Sequence, residues 1–253
     1  MKITFLGTGT SQGVPVIACN CNVCHSTDPR DKRLRSSVMI ENKGKIFVID
    51  TGPDFRQQML IHNVQQLDAV LFTHEHKDHV AGLDDVRAFN YKQKKALDIY
   101  ATPQVHDALR RDFHYAFDEM KYPGVPSLEL IEIGNKKFEV EGTEFLPVKV
   151  MHYKMPVFGF RVGGFSYITD AKSIADEELD KIRNSEVLVL NALRRTEHIS
   201  HFTLDEAVRL IETLNPKKAY LTHISHLMGT HAETEKNLPK HIELSHDGLQ
   251  LEL

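Results

Sequence analysis

The chain has 253 residues, 41% hydrophobic and 26% charged, the composition of an ordinary globular protein able to bury one sizeable core. Its formal net charge of −4 argues against a general nucleic-acid binder or a basic membrane-surface protein, whose affinity rests on excess Lys and Arg. No apolar run approaches a membrane span, and Met1-Lys2-Ile3-Thr4-Phe5-Leu6 leads straight into Gly7-Thr8-Gly9, a strand and turn rather than a signal peptide, so the expected compartment is the cytosol.

Strand character begins at residues 3–6. It returns at 37–41 and 45–49, joined by the hairpin turn Asn42-Lys43-Gly44. Residues 7–35 form a long loop, and a structureless loop of that length needs a function or a metal clip. Residues 53–62 read as a helix with Pro53 near its start, 68–72 as a strand and 80–89 as a helix. A short strand at 99–101 and a helix at 103–111 follow. Residues 112–127 are aromatic and carry the turn signal Tyr122-Pro123-Gly124. They read as an ordinary packed connection, with a lid or a dimer contact as the alternative.

In the second half, residues 128–131, 138–140 and 144–150 read as strands. Residues 158–162 and 165–169 form a hairpin across Gly163-Gly164, followed by a helix at 176–184 and a strand at 187–190. Thr203-Leu204-Asp205-Glu206 is a capping box opening a helix to Leu214. A strand at 219–222 follows, and 241–244 with 250–253 end the sheet. Strands and helices thus alternate twice over. The pattern fits an α/β fold of two sheets packed face to face with helices outside, better than one doubly wound sheet.

The densest chemistry lies in Thr73-His74-Glu75-His76-Lys77-Asp78-His79. Three of the 15 histidines and an aspartate follow the apolar run Ala69-Val70-Leu71-Phe72, a buried strand whose end presents side chains to a ligand. Imidazole nitrogens and carboxylate oxygens are the ligand set of zinc and similar divalent ions. In a turn, His74 and His76 can face one way and Asp78 and His79 another, so two ions are expected. A polar loop rich in His by chance is the alternative, and the density of the cluster counts against it. His152, Asp170 and His223 each stand just past a predicted strand. Alone, each reads more readily as a cap or turn residue; with the cluster they complete two coordination shells.

The 3 cysteines, Cys19, Cys21 and Cys24, are an odd number crowded together, which is no disulfide framework. Three thiolates suit a tetrahedral zinc site that clips the long loop. Reduced cysteines without metal are the alternative.

His74-x-His76-x-Asp78-His79, followed in order by His152, Asp170 and His223, resembles the metallo-β-lactamase superfamily over nearly the whole chain. Within it, Gly7-Thr8-Gly9-Thr10-Ser11-Gln12-Gly13-Val14-Pro15, the Cys19-x-Cys21-x-x-Cys24 loop and His223-Ile224-Ser225-His226 look like the phosphoribosyl 1,2-cyclic phosphate phosphodiesterases of phosphonate (C–P lyase) breakdown. The resemblance implies a four-layer αββα sandwich, a single domain over residues 1–253, with the site at one edge of both sheets. By that likeness His74, His76 and His152 hold one ion, Asp78, His79 and His223 hold the other, and Asp170 bridges them. Cys19, Cys21 and Cys24 with His226 then hold a structural zinc around 19–24.

The physics agrees with this division. A bridging carboxylate keeps two dications about 3.5–4 Å apart, and a water they share ionises near neutrality. An oxygen donor at Asp170 suits phosphate esters and ions such as Zn²⁺ or Mn²⁺. Asp78 has a second role open to it, accepting or orienting the proton of that water. His201 resembles a family histidine that reaches the site without binding metal, as phosphate binder or general acid; a surface His before a helix is the alternative. Arg194 and Arg195 either recognise phosphate or form a solvated charge pair. Ser11 and Gln12 line the cleft through the glycine-rich turn, which is no P-loop because no Gly-Lys-Ser/Thr follows. Asn191 stands where relatives of this type often carry an acidic residue.

The expected activity is a metal-dependent phosphodiesterase acting on a small cyclic phosphate ester, phosphoribosyl-linked or a cyclic nucleotide, through hydroxide bridging two ions. A tRNA 3′-processing ribonuclease or a thioester or lactone hydrolase of the same superfamily is the alternative, as is a zinc-stabilised binding module without catalysis. A ribonuclease should carry a basic arm, which this acidic chain does not advertise, and a binding module has no need of Asp78 or Asp170. The expected partner is a small phosphate ester, without membrane or nucleic acid. The resemblance suggests a homodimer.

Overall fold

In Lys45–Ile49, Phe47 and Ile49 join one buried cluster and Val48 another, so this strand is covered on both faces. The same alternation separates Val189 from Leu188 and Leu190, and Leu71 from Val70. In the computed structural model, which describes residues 1–120 and 122–253, these alternations stack into layers.

The first half runs β1 (Lys2–Gly7), β2 (Ser37–Asn42), β3 (Lys45–Ile49), α1 (Phe55–Ile61), β4 (Ala69–Leu71), α2 (Lys77–Val80), α3 (Arg87–Gln93), β5 (Leu97–Ala101), α4 (Pro103–Asp112) and β6 (Leu128–Glu132). The second runs β7 (Phe138–Val140), β8 (Thr143–His152), β9 (Met155–Val162), β10 (Phe165–Ile168), β11 (Ser173–Ile174), α5 (Asp176–Ile182), β12 (Val187–Asn191), α6 (Leu204–Leu214), β13 (Lys218–Thr222), α7 (His231–Glu235), β14 (Ile242–Leu244) and β15 (Gln250–Glu252). One sheet has the order β15-β1-β2-β3-β4-β5-β6. The other has β11-β8-β9-β10-β12-β13-β14, with β7 paired to β8. Phe5, Phe47, Phe145, Phe160, Phe165 and Tyr167 fill the space between the sheets. A second cluster joins the first sheet to α1, α3 and α4, and a third joins the other sheet to α5 and α6. Helix, sheet, sheet, helix is the αββα sandwich the chain was expected to form. Among the described residues no helix is long and apolar enough to cross a membrane.

Several boundaries differ from expectation, each for a local reason. The helix expected at 80–89 is broken into α2, a 3₁₀ turn at Leu83–Val86 and α3. The break follows Gly82, where a Cβ would stand 2.1 Å from the Gly52 carbonyl oxygen and 2.8 Å from Phe55 Cβ. Tertiary packing requires that backbone approach and only glycine allows it. The strand expected at 144–150 extends to His152, which is the last residue of β8 rather than a loop residue. It pairs with Met155 across the two-residue turn Tyr153-Lys154, so β9 starts three residues before the expected 158. The segments expected to end one sheet end two: β14 borders β13, while β15 pairs with β1. β11 and α7 had no sequence signal. The long first loop is not structureless. Gly9 bridges to both Arg35 and Ile224, and Val14 to Arg33. Of the 112–127 segment, Lys121 lies outside the described residues, and a 3₁₀ turn spans His114–Ala116.

Candidate functional site

The candidate ligands leave the sheets at one common edge. β3 ends before Asp50, β10 before Asp170 and β13 before His223, and these three residues have φ of 66°, 56° and 57°. Non-glycine residues rarely adopt that left-handed backbone, and it concentrates at functional sites. Here it turns the chain sharply at the sheet rim, towards the His74–His79 segment that follows β4.

Two donor sets share His74. His74, His76 and His152 place one nitrogen each within 4.8 Å of one another, and so do donor atoms of His74, His79 and Asp170. Asp170 is the hub. Its Oδ2 lies 3.3 Å from His79 Nε2 and 3.4 Å from His223 Nδ1, and its Oδ1 lies 3.0 Å from His201 Nε2. Asp78 Oδ2 is 3.2 Å from His79 Nε2. The residues that the sequence singled out as active-site ligands therefore converge. His223 joins through Nδ1, while its Nε2 faces Thr10 Oγ1 at 3.3 Å.

The outer contacts aim these rings. His79 Nδ1–H donates to Asp50 Oδ2 at 2.7 Å, and Thr73 Oγ1 donates to the same oxygen at 2.8 Å. With its proton committed, Thr73 Oγ1 accepts from His74 Nδ1–H at 2.9 Å. His152 Nδ1–H donates to the Ser200 carbonyl at 3.0 Å. Asp50 thus directs His79 itself and His74 through Thr73, leaving both Nε2 atoms pointing inward. His74 Nε2 is buried and has no hydrogen-bond partner among the described residues, while His79 Nε2 faces only the carboxylates of Asp78 and Asp170. A buried nitrogen without a partner is costly unless something coordinates it. The donor set, imidazoles and carboxylates already held by outer hydrogen bonds, fits divalent metal. Sequence reading missed Asp50 and Thr73.

Electrostatics follow from this crowding. Burial pushes His223 down to about 4, and it also lowers His74 and His152. Burial alone would lower His79 too, but the carboxylates of Asp78, Asp170 and Asp50 raise it well above the usual histidine range. Burial raises Asp170 less than His223, His79 and the His201 hydrogen bond lower it, so it is held well below the usual carboxylate range. Asp78 is likewise lowered, burial being overcome by His79.

At the rim, Ser200 Oγ lies 3.0 Å from His201 Nδ1, and His198 Nδ1 lies 3.1 Å from it. His201 therefore faces the ligand cluster rather than solvent. Arg194 folds onto its own turn, donating to the carbonyls of Thr196 and Glu197 at 3.2 and 2.7 Å. Arg195 donates to the Met228 carbonyl at 2.8 Å. Arg194 is half-buried and Arg195 exposed. Ser11 and Gln12 are exposed on the glycine-rich turn. Asn191 is buried and clamps the Ala171 backbone through both amide atoms, at 2.7 and 2.9 Å.

The cysteine loop meets the far side of the His223 turn. Cys19, Cys21 and Cys24 Sγ lie 3.2, 3.4 and 3.6 Å from His226 Nδ1. The Cys24 backbone N–H holds the Cys21 thiol down at about 6, while burial pushes Cys24 up to about 11. Four donors within 4.8 Å of one another suit a closed tetrahedral site.

Residues 45–224 match the beta-lactamase superfamily domain. The chain belongs to that superfamily. It is 42% identical over 253 residues to an octanoyltransferase of Porphyromonas gingivalis, covering 99% of this chain and 51% of that protein. This chain spans about half the length of the curated relatives it matches. A crystal structure of a diphosphatase from the PhnP family is 41% identical, with a TM-score of 0.94, over 100% of this chain and 97% of that one. Zinc-bound PqqB of Methylobacterium extorquens shares the fold at 20% identity and a TM-score of 0.80, over 100% of both chains.

Proposed function

We propose that this chain is a metal-dependent hydrolase, a binuclear-metal phosphodiesterase that opens a small cyclic phosphate ester, with the anhydride of a small diphosphate as the related alternative. The observation that carries the reading is the convergence on Asp170 of the buried, partnerless Nε2 of His74 and of His79 Nε2, 3.3 Å from Asp170 Oδ2. His74, His76 and His152 would hold one ion, Asp78, His79 and His223 the other, with Asp170 between them. When bound, such a pair supplies Lewis-acid stabilisation at phosphorus and a water acidic enough to react at neutral pH.

The protein's own groups divide the remaining work. Asp78 accepts the proton of the attacking water. His201, 3.0 Å from Asp170, delivers a proton to the leaving oxygen. The oxygen and nitrogen donors contain no thiolate, which suits ions that engage phosphoryl oxygens. The 41%-identical diphosphatase favours phosphorus over a carbon ester, and the net charge of −4 does not favour a ribonuclease. Cys19, Cys21, Cys24 and His226 would hold a structural zinc that ties the first loop to the His223 turn.

The test is turnover by zinc- or manganese-loaded protein of bis(p-nitrophenyl) phosphate, a cyclic nucleotide, nitrocefin and a thioester. Phosphodiester hydrolysis is expected, and activity confined to nitrocefin or the thioester overturns the reading. His201→Ala should lower kcat about 10²–10⁴-fold on an alkyl diester. The loss should be far smaller on the p-nitrophenyl ester, whose leaving group needs no proton.

A further inference from the structure

We propose that His198 is a positioning residue for His201: it accepts a hydrogen bond from His201 Nδ1–H and so keeps the Nε2 edge of that ring turned to Asp170. The role rests on the phosphodiester reading above, in which His201 protonates the leaving oxygen. His201 is buried. Its ring lies within 14° of the His223 plane with centroids 4.9 Å apart, and meets His152 edge-on at 4.7 Å. These neighbours fix the plane of the ring but not which edge faces inward. An imidazole flipped by half a turn about its Cβ–Cγ bond fills nearly the same space, so only polar partners separate the two states.

The polar partners have one direction. The Ser200 backbone N–H can only donate, and it donates to His198 Nδ1 at 3.3 Å. His198 Nδ1 is therefore an acceptor. Burial and the nearby His201 lower His198 below the usual histidine range, which keeps that lone pair free. Two lone pairs cannot face each other across the 3.1 Å between His198 Nδ1 and His201 Nδ1, so the hydrogen between them belongs to His201. Ser200 Oγ, 3.0 Å from His201 Nδ1 and 3.3 Å from His198 Nδ1, runs the same way, accepting from His201 and donating to His198. The opposite edge of His201, Nε2, lies 3.0 Å from Asp170 Oδ1.

The turn that carries His198 is braced at both ends. Arg194 donates to the carbonyls of Thr196 and Glu197, the Ser200 carbonyl accepts from His152 Nδ1–H, and the Phe202 N–H donates to the Ala171 carbonyl at 2.9 Å. His198 is half-buried, while Ile199 beside it is exposed. The partner of a working histidine fixes its tautomer through the ring nitrogen that does not react. A neutral acceptor does so without placing a further negative charge beside Asp170.

The experiment combines spectra and kinetics of the zinc-loaded protein. Long-range proton–nitrogen NMR spectra should show His201 Nδ1 carrying hydrogen in wild type and losing that state in His198→Ala. With 2′,3′-cyclic AMP, whose leaving oxygen is an alkoxide, His198→Ala should lower kcat about 10–100-fold and leave KM nearly unchanged. The loss should be far smaller with bis(p-nitrophenyl) phosphate. His198→Asn, which returns an acceptor oxygen close to the Nδ1 position, should recover most of the rate, and His198→Ala added to His201→Ala should cost nothing more. Zinc content and thermal midpoint should stay at wild-type values in each variant. A wild-type His201 Nδ1 without hydrogen, a tautomer unchanged in His198→Ala, equal losses on both esters, or His198→Asn no faster than His198→Ala overturns the positioning role. Turnover of neither ester removes the phosphodiester reading and the part of His198 in it, whereas turnover with any of those four results removes the positioning role alone.

Discussion

Asp50 is fully buried, and burial raises its carboxyl, yet it accepts hydrogen bonds from His79, the Thr73 hydroxyl and the Thr73 backbone N–H. Its role is to aim two imidazoles. Asp50→Asn keeps the shape and removes one acceptor oxygen, so it should weaken metal binding about 10–100-fold, the usual consequence of losing an outer partner of a ligating histidine. Metal titration by calorimetry checks this. The metal-free protein should also show a distinctive pH dependence. His79, raised above its unfolded value of 6.5, contributes stability that is full below 6.5 and lost as pH rises through its folded value. His223, lowered from 6.5 to about 4, contributes stability present above 6.5 and lost as pH falls towards 4. His74 and His152 act in the same direction as His223. Thermal melts of the chelated protein should therefore peak around pH 6.5 and fall on both sides. Metal displaces the His79 proton, so the loaded protein should lose the alkaline decline.

Among the elements, the first loop and the β13 turn depend on one another. The loop is tied down by backbone bridges at Gly9 and Val14, by buried Arg33, which donates to Thr8 Oγ1 and the Ser245 carbonyl at 2.8 and 2.6 Å, and by the four sulfur and nitrogen donors around His226. Thr10 and Ser36, at opposite ends of that loop, both touch His223. Cys21→Ser should therefore lower zinc content and the thermal midpoint together; about 1 kcal/mol of lost stability moves a chain of this size by about 2–4 °C. His76 is exposed, and His76→Ala should abolish turnover while leaving the midpoint near that of wild type. Equal loss of stability in both variants would contradict the division between a catalytic and a structural site. Gly82 belongs to the same scale: it breaks a helix that periodicity alone would continue, because α1 and the Gly52 carbonyl occupy the space a side chain would need.

At the scale of the whole molecule, the aromatic layer between the sheets carries the architecture. Phe160 is fully buried, sits in β9 and meets Phe138 edge-on at 6.5 Å. Phe160→Ala should cost about 3–5 kcal/mol, the usual range for emptying a large core site. Denaturant unfolding of the zinc-loaded protein should show this as a lower midpoint in a single transition, because β14 and β15, only a few residues apart, join different sheets. Much of this organisation was legible in advance. Period-2 alternation, the hairpin turns and the Thr203 capping box are local signals, and they specified two βα-rich halves and most strands. The His74–His79 cluster, His152, Asp170, His223 and the cysteines were legible for a similar reason: metal chemistry admits few residue types, so their density is informative wherever they fall. Tertiary structure alone decided which strand borders which sheet, where helices break, and how Asp50 and Thr73 turn His79 and His74 inward. Those outcomes depend on groups distant in sequence competing for the same space and the same hydrogen bonds, and no local pattern records that competition.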